Sequence, residues 1–257
     1  MNGRNDIKGI QSEWLKYKRT FMRKLILLAP LFFVLMAIPQ KLLMPAGYLR
    51  QWQLLIDLVF NWWPVLFLPL GTALFASLAD SQEKKSGGIR SLRSHNVSAC
   101  SLWIDKVTGM AMHTFLASLV LFCSVLLAGW ITAKGAVPWK TILSACLVTW
   151  ITSLPLLPLQ LWAAAWKGVF FSMALGFAGM MTGVLAAQKP FWPAVPWSWP
   201  TRLMCPIIGV HPNGTLLEAT DPLRDPSVIP VGIGLSLTAF AAVTVLTAFW
   251  FRRQEVK

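Results

Sequence analysis

The sequence predicts an all-α membrane protein with six transmembrane helices and an interfacial amphipathic helix ahead of them. Three observations carry this. First, the 257 residues are 56% hydrophobic and only 13% charged, with a mean hydropathy of +0.58, whereas a soluble domain carries about 25% charged residues. Second, six apolar runs have the length of a spanning helix, which needs about 20 residues to cross ~30 Å of hydrocarbon. Third, lysine and arginine fall mostly on one side of those runs. The net charge of +13 would suggest nucleic acid in a soluble chain. Here topology explains it, and no nucleic-acid partner is expected. A closed barrel is excluded because no segment alternates with a period of two.

The chain divides into residues 1–24, a connecting segment, and residues 25–257, a six-helix domain. In the first part Ile7, Ile10, Trp14, Tyr17 and Phe21 recur every three or four residues and form one helical stripe. Lys8, Lys16, Lys18 and Arg19 lie off that stripe, and Asn5 or Asp6 can cap the start. Such a helix lies flat on an anionic membrane surface. The plainer reading is a basic stop that fixes topology.

The spans are predicted at Leu25–Leu43, Leu55–Ala79, Gly109–Ile131, Thr141–Ala165, Gly168–Ala187 and Ile229–Phe251. Pro30 and Pro39 break the first, and Pro155 and Pro158 the fourth. The first run is not read as a signal peptide, because it starts late and has no small-residue cleavage site. With six spans both termini share a side. That side holds Arg4, Lys8, Lys16, Lys18, Arg19, Arg23 and Lys24, then Lys84, Lys85, Arg90, Arg93 and Lys106, then Lys167, Arg252, Arg253 and Lys257. The positive-inside rule puts it in the cytoplasm.

Between the second and third spans, the 80–106 loop reads DSQEKKSGGIRSLRSHNVSACSLWIDK. Gly87-Gly88 should end any helix continuing from the second span. Beyond them Ile89 and Leu92 share a face with Arg90 and Arg93 beside it, which suits a plug for a partner's groove. A solvated basic loop touching headgroups reads equally well. Val97 to Lys106 forms a further amphipathic piece with Leu102 and Trp103 at the interface.

The 188–228 loop, on the other side, contains KPFWPAVPWSWPTR. Its prolines exclude a regular helix, and Trp192, Trp197 and Trp199 suit the headgroup layer. Glu218, Asp221 and Asp225 make its later part acidic, either to attract a cationic ligand or simply as a solvated loop with turns at Asp221-Pro222 and Asp225-Pro226.

Catalytic and metal patterns are absent. Cys100, Cys123, Cys146 and Cys205 have no redox or ligand spacing, and His95, His113 and His211 are scattered. His113, Gln160 and Asn61 read as hydrogen bonders between helices. Asp57, at the outer end of the second span, is the carboxylate nearest a span and a suspect for the substrate path together with the outer loop. No GK[ST] phosphate loop exists, so the chain does not bind ATP in that manner. No metal site or catalytic residue is expected.

SEWLKYKRTF before the first span, KLILLAPLFF within it, and a loop that begins at Glu83-Lys84-Lys85 and ends in WIDK resemble the ABC-2 class of transporter permeases. Within that class they resemble the lantibiotic-immunity permeases of the mutacin and epidermin type. The likeness covers essentially the whole chain. It implies a type V exporter-like permease in the bacterial cell membrane, itself no enzyme, with ATP and Mg bound by two copies of a separate ATPase. A sister permease or a second copy would complete the membrane part, and a lantibiotic peptide would be the cargo. By the same resemblance Asn5–Lys24 is the connecting helix. Glu83 to Ser94 is the coupling helix, with Glu83, Ile89, Arg90, Leu92 and Arg93 docking on the ATPase. The Pro/Trp stretch forms short re-entrant helices over the path, and spans one to three tilt against four to six. The alternatives are an ABC-2 permease for a drug, lipid or glycan, and a channel or membrane enzyme with no ATPase.

Overall fold

The computed structural model describes residues 20–43, 52–86 and 98–254. The stripe residues Ile7, Ile10, Trp14 and Tyr17, and the loop residues Ile89, Arg90, Leu92 and Arg93, lie outside these. Among the described residues nine α-helices follow one another: α1 Phe21–Leu43, α2 Trp52–Trp62, α3 Leu68–Ser86, α4 Ala99–Thr132, α5 Trp139–Ser153, α6 Leu156–Lys167, α7 Val169–Ala187, α8 Ser198–Ile208 and α9 Val228–Gln254. The described residues form no strand, only an isolated bridge between Val210 and Leu216. Five helical runs are long and apolar enough to cross a membrane. The α5–α6 pair, bent by 41°, makes a sixth.

Prolines act differently in each span. Pro30 and Pro39 sit inside a continuous α1, against the expectation of a break; neighbouring groups can satisfy a freed carbonyl in a membrane helix. In the fourth span the expected break occurs, at Leu154-Pro155. In the second span a π-helical turn, Trp63–Phe67, joins α2 to α3, with Pro64 inside it and Pro69 just after it. Neither proline has an N–H to give the ordinary i−4 bond. The Leu68 N–H reaches the Trp63 carbonyl instead, five residues back, which is the π pattern.

Helix α4 is longer than the predicted third span. Ser98 caps it by accepting the Ser101 N–H at 3.1 Å. Its 34 residues span about 51 Å at 1.5 Å each, more than the hydrocarbon needs, and Ala99 to Lys106 of the predicted amphipathic piece form its first turns. Trp103 is not at an interface. It is 1% exposed, its indole N–H donates to Thr247 Oγ1 at 2.9 Å, and its ring lies against Trp250 and Phe251 of α9. Gly168, at φ +84°, makes the tight turn from α6 to α7 after Lys167.

The packing does not divide the helices into one to three and four to six. α1 runs along α4, which also packs on α5 and α9. α3 packs on α6 and α7, and touches α1 only marginally. The second span therefore sides with the fourth and fifth, and a seam separates α1–α4 from α3–α6–α7. Gly176 brings α7 close to α3: a Cβ there would stand 2.8 Å from Ala73 Cβ and 2.9 Å from the Pro69 carbonyl. Gln160 joins α6 to α7, its side-chain amide 2.9 Å from Ser172 Oγ. Asn61 bonds elsewhere than predicted. Asn61 turns to the cap, and His113 Nδ1 lies 2.7 Å from the Gly109 carbonyl of its own helix.

Candidate functional site: an apolar cavity on the seam

A cavity of about 520 Å³ lies between α1 and α3, with α4, α5 and α7 behind it. α1 contributes Phe21, Leu25, Leu28, Ala29 and Phe32; the π turn and α3 contribute Trp63, Phe67, Gly71 and Phe75. Pockets of about 300–1,000 Å³ are those that hold small ligands. The cavity exists because α1 follows α4 and leaves α3, so side chains from both must fill the gap, and at Gly71 there is none. A Cβ added at Gly71 would meet nothing within 4 Å. Phe21 and Leu28 are more than half exposed, so the cavity's α1 wall continues into the surface that meets lipid.

The wall offers a ligand almost no hydrogen bonding. Thr72 Oγ1 donates to the Leu68 carbonyl at 2.7 Å, Thr114 to Ala111 at 2.9 Å and Ser118 to Cys146 at 2.9 Å. Ser153 Oγ donates to the Trp150 carbonyl at 2.8 Å, and the Trp150 indole N–H to Ala111 at 3.3 Å. Each of these donors is spent on backbone, so the surface that remains is almost wholly hydrocarbon and aromatic. Such a cavity prefers apolar contents to water.

Aromatic rings close one end. Phe32 and Phe33 of α1 meet Phe67 at centroid distances of 5.5 and 5.3 Å. Trp63 stacks on Phe67 at 5.6 Å and 15°. Both partners on the second span belong to the π turn, so that turn sets the aromatic closure. At the other end, where α3 stops and α4 starts, Glu83 and Lys106 form an ion pair. Lys106 is 7% exposed at its side chain and Glu83 12%. Asp80 pairs with Lys84 at 2.7 Å. Glu83, expected on the docking helix, has its carboxylate on Lys106.

Beyond the aromatic end lies the cap, built from α8 and the turns around it. The prolines do not exclude a helix there: Pro200 falls in the first turn of α8, where its N–H is not needed. Nor do the tryptophans all face headgroups. Trp192 and Trp199 are buried, and the Trp199 N–H donates to the Pro193 carbonyl at 3.1 Å. Trp197 lies flat on α7, where a Cβ at Gly179 would stand 2.2 Å from its Nε1.

α2 meets the cap through Gln53, Asp57 and Asn61, spaced four residues apart on one face. The Gln53 amide donates to Asp57 Oδ1 at 2.6 Å and to the Ile208 carbonyl at 2.8 Å. Asn61 Nδ2 reaches the Pro212 carbonyl at 3.4 Å. Asp57 is therefore buried against α8 and does not line the cavity; its Oδ2 has no hydrogen-bond partner among the described residues. The acidic stretch is occupied locally as well. Asp221 Oδ1 accepts the Leu223 N–H at 2.8 Å and Asp225 Oδ1 the Ser227 N–H at 2.9 Å. Those Ser227 bonds hold the Asp225 carboxyl below the usual range, so it stays charged at lower pH than a free aspartate. Glu218 is exposed, and its backbone carbonyl accepts from Arg224 Nε at 2.8 Å. We expect Gln53→Ala to lower stability by about 1–3 kcal/mol, since it strips the donor from two acceptors. Faster proteolysis within 208–217 is the readout.

The six-span architecture and the apolar cavity define a multi-pass helical membrane protein. The model of a family described as ABC-2 family transporter protein matches residues 9–183. That is more than half of the chain, and the chain belongs to this family of transport subunits. No curated protein matches, and no solved structure matches.

Sequence reasoning missed the cavity. The signal was present in the second span, where two prolines five residues apart follow Trp63 and enclose Phe67, with a glycine at 71. What could not be read was that α1 would leave α3 to follow α4.

Proposed function

We propose that this chain is the permease half of an ABC exporter that removes a cationic, membrane-active peptide of the lantibiotic type from the membrane of the producing bacterium. The observation that carries this reading is the cavity: it is apolar throughout, it lies within the spans of an ABC-2 family member, and its α1 wall continues into the lipid-facing surface. It suits the apolar side chains of a peptide already embedded in the bilayer. The exposed acid Glu218 and the charged Asp225 on the cap suit its cationic groups on the way out.

The basic loop side is cytoplasmic by the positive-inside rule, which puts the cap outside. A separate ATPase, in two copies, carries ATP and Mg and docks on the α3–α4 loop. Ile89, Arg90, Leu92 and Arg93 form the contact; Glu83 is left out because Lys106 holds its carboxylate. A sister permease or second copy completes the assembly. ATP binding moves the loop, the seam shifts, and the cavity loses affinity for its contents. Export requires that difference between the two states, because a ligand bound equally by both is not moved.

The test is survival. A sensitive bacterial host carries the ATPase and sister permease, with and without this chain, and is exposed to a panel of lantibiotics. Protection against one or a few peptides, only when the chain is present, is the expected result. No protection from any, despite assembly with the ATPase, overturns the peptide reading. The wall's lack of free hydrogen-bonding groups then favours a second reading, export of a lipid or apolar drug. It disfavours a glycan, whose hydroxyls would find no partners.

A further inference from the structure

The seam that holds the cavity is bridged at its loop end by a charge pair buried between two helices. α3 supplies Glu83 and α4 supplies Lys106, and both side chains are close to nine-tenths buried. Their burial is costly in itself, because both charges leave water to meet. A well-packed apolar pair would hold two helices together without that cost. What an ion pair adds is a defined partner and register.

The surrounding contacts show what the register fixes. Three residues before Lys106, Trp103 is locked to α9 by its bond to Thr247 and its rings against Trp250 and Phe251. One turn before Trp103, Cys100 Sγ lies 3.7 Å from the Ala248 carbonyl of the same helix. The start of α4 is thus anchored to α9, and Glu83 ties the end of α3 to that anchor. Both ends of the 87–97 connection are held at one point of the seam. The cavity begins a few turns away, at Phe21 and Phe75.

We infer that the Glu83–Lys106 ion pair is a positioning device that converts displacement of the α3–α4 loop into movement across the cavity seam. This deepens the exporter reading and rests on it for the source of the displacement. Without the pair, α3 and α4 can separate at the loop end, and a push on the loop is absorbed there. Neither residue touches cargo or nucleotide; both act through the helices they join.

Two measurements test it. The first needs no ATPase. With the four native cysteines replaced, spin labels at Ser81→Cys and Ile104→Cys report the distance between α3 and α4 in the folded chain. The variant Glu83→Gln/Lys106→Met keeps side-chain volume and removes both charges of the pair. It is expected to melt as the parent does while its distance distribution broadens. The swap Glu83→Lys/Lys106→Glu is expected to narrow it again. An unchanged distribution in the neutral pair overturns the inference, whatever the cargo proves to be.

The second uses the full complex in liposomes. The neutral pair is expected to retain the ATPase and hydrolyse ATP within twofold of the parent, with transport per ATP at least tenfold lower. The swap recovers at least half of it. Parent-like transport per ATP in the neutral pair also overturns the inference. Absence of ATP-driven transport in the parent complex would instead count against the exporter reading, and the spin-label result would then decide the inference alone.

Discussion

Gly71→Leu is expected to disable the transporter without unfolding it. The position lines the cavity, and a Cβ there meets no atom within 4 Å. A leucine can therefore extend into the space that a ligand would use. Its Cβ displaces no neighbour and points to the cavity's free space, so little overpacking cost is expected. Replacing a glycine inside a helix also removes an entropic penalty on the order of 0.5–1 kcal/mol. Thermal stability in detergent should hold or rise slightly, while protection or transport falls tenfold or more. Gly71→Ala, adding one methyl to the same space, should be nearly silent. Full transport by the leucine variant would show that cargo does not pass through this cavity.

Gly179→Ala should have the opposite profile. Its Cβ would stand 2.2 Å from Nε1, 2.3 Å from Cε2 and 2.5 Å from Cδ1 of Trp197. The ring cannot slide freely, because the Trp197 backbone carbonyl would itself stand only 2.7 Å from a Cβ at Gly183, one turn further on. Overpacking of this kind costs about 1–3 kcal/mol, and α8 with its tryptophans should lift from α7. A lower melting temperature and earlier proteolysis of the cap are the expected signs. Trp197→Leu should rescue much of the loss, since the coupled pair is not additive. The indole N–H has no partner among the described residues, so removing the ring breaks no hydrogen bond with them. An additive double variant would mean that the glycine matters for another reason.

The spans were legible because length and hydropathy are local quantities. All six predicted runs correspond to helices, and the Pro155 break falls where the sequence puts it. Proline position was read less well. Pro30 lies in a helix that continues, Pro64 and Pro69 create a π turn, and Pro200 begins a helix. The same residue has three outcomes because each depends on which carbonyl loses its partner and what replaces it. Side-chain placement of tryptophan was misread for a related reason. Trp103, Trp192 and Trp199 have the amphipathic character of interface residues, but the distant Thr247 and the nearby Pro193 carbonyl take two of the indole N–H groups inside the protein. The cavity needed the relation between α1, α3 and α4, and that relation has no local signature. The stripe from Ile7 to Tyr17 and the docking residues from Ile89 to Arg93 remain expectations outside the described residues.

The internal hydrogen bonds of Thr72, Thr114, Ser118, Ser153 and Trp150 have a consequence for selectivity. A binding wall whose hydroxyl and indole donors are all spent on backbone gives a ligand little reward for a matching carbonyl or hydroxyl. Nor does it punish one for lacking them, and that punishment is the origin of discrimination by factors of 10⁴ or more. It can sort only by bulk and contour, at about 1–3 kcal/mol per methylene. Such a transporter should therefore accept a graded series of apolar ligands, not one. Enlarging or shrinking wall residues such as Leu28, Ala29 or Met173 should slide the series toward smaller or larger members, and no single polar contact should act as the key.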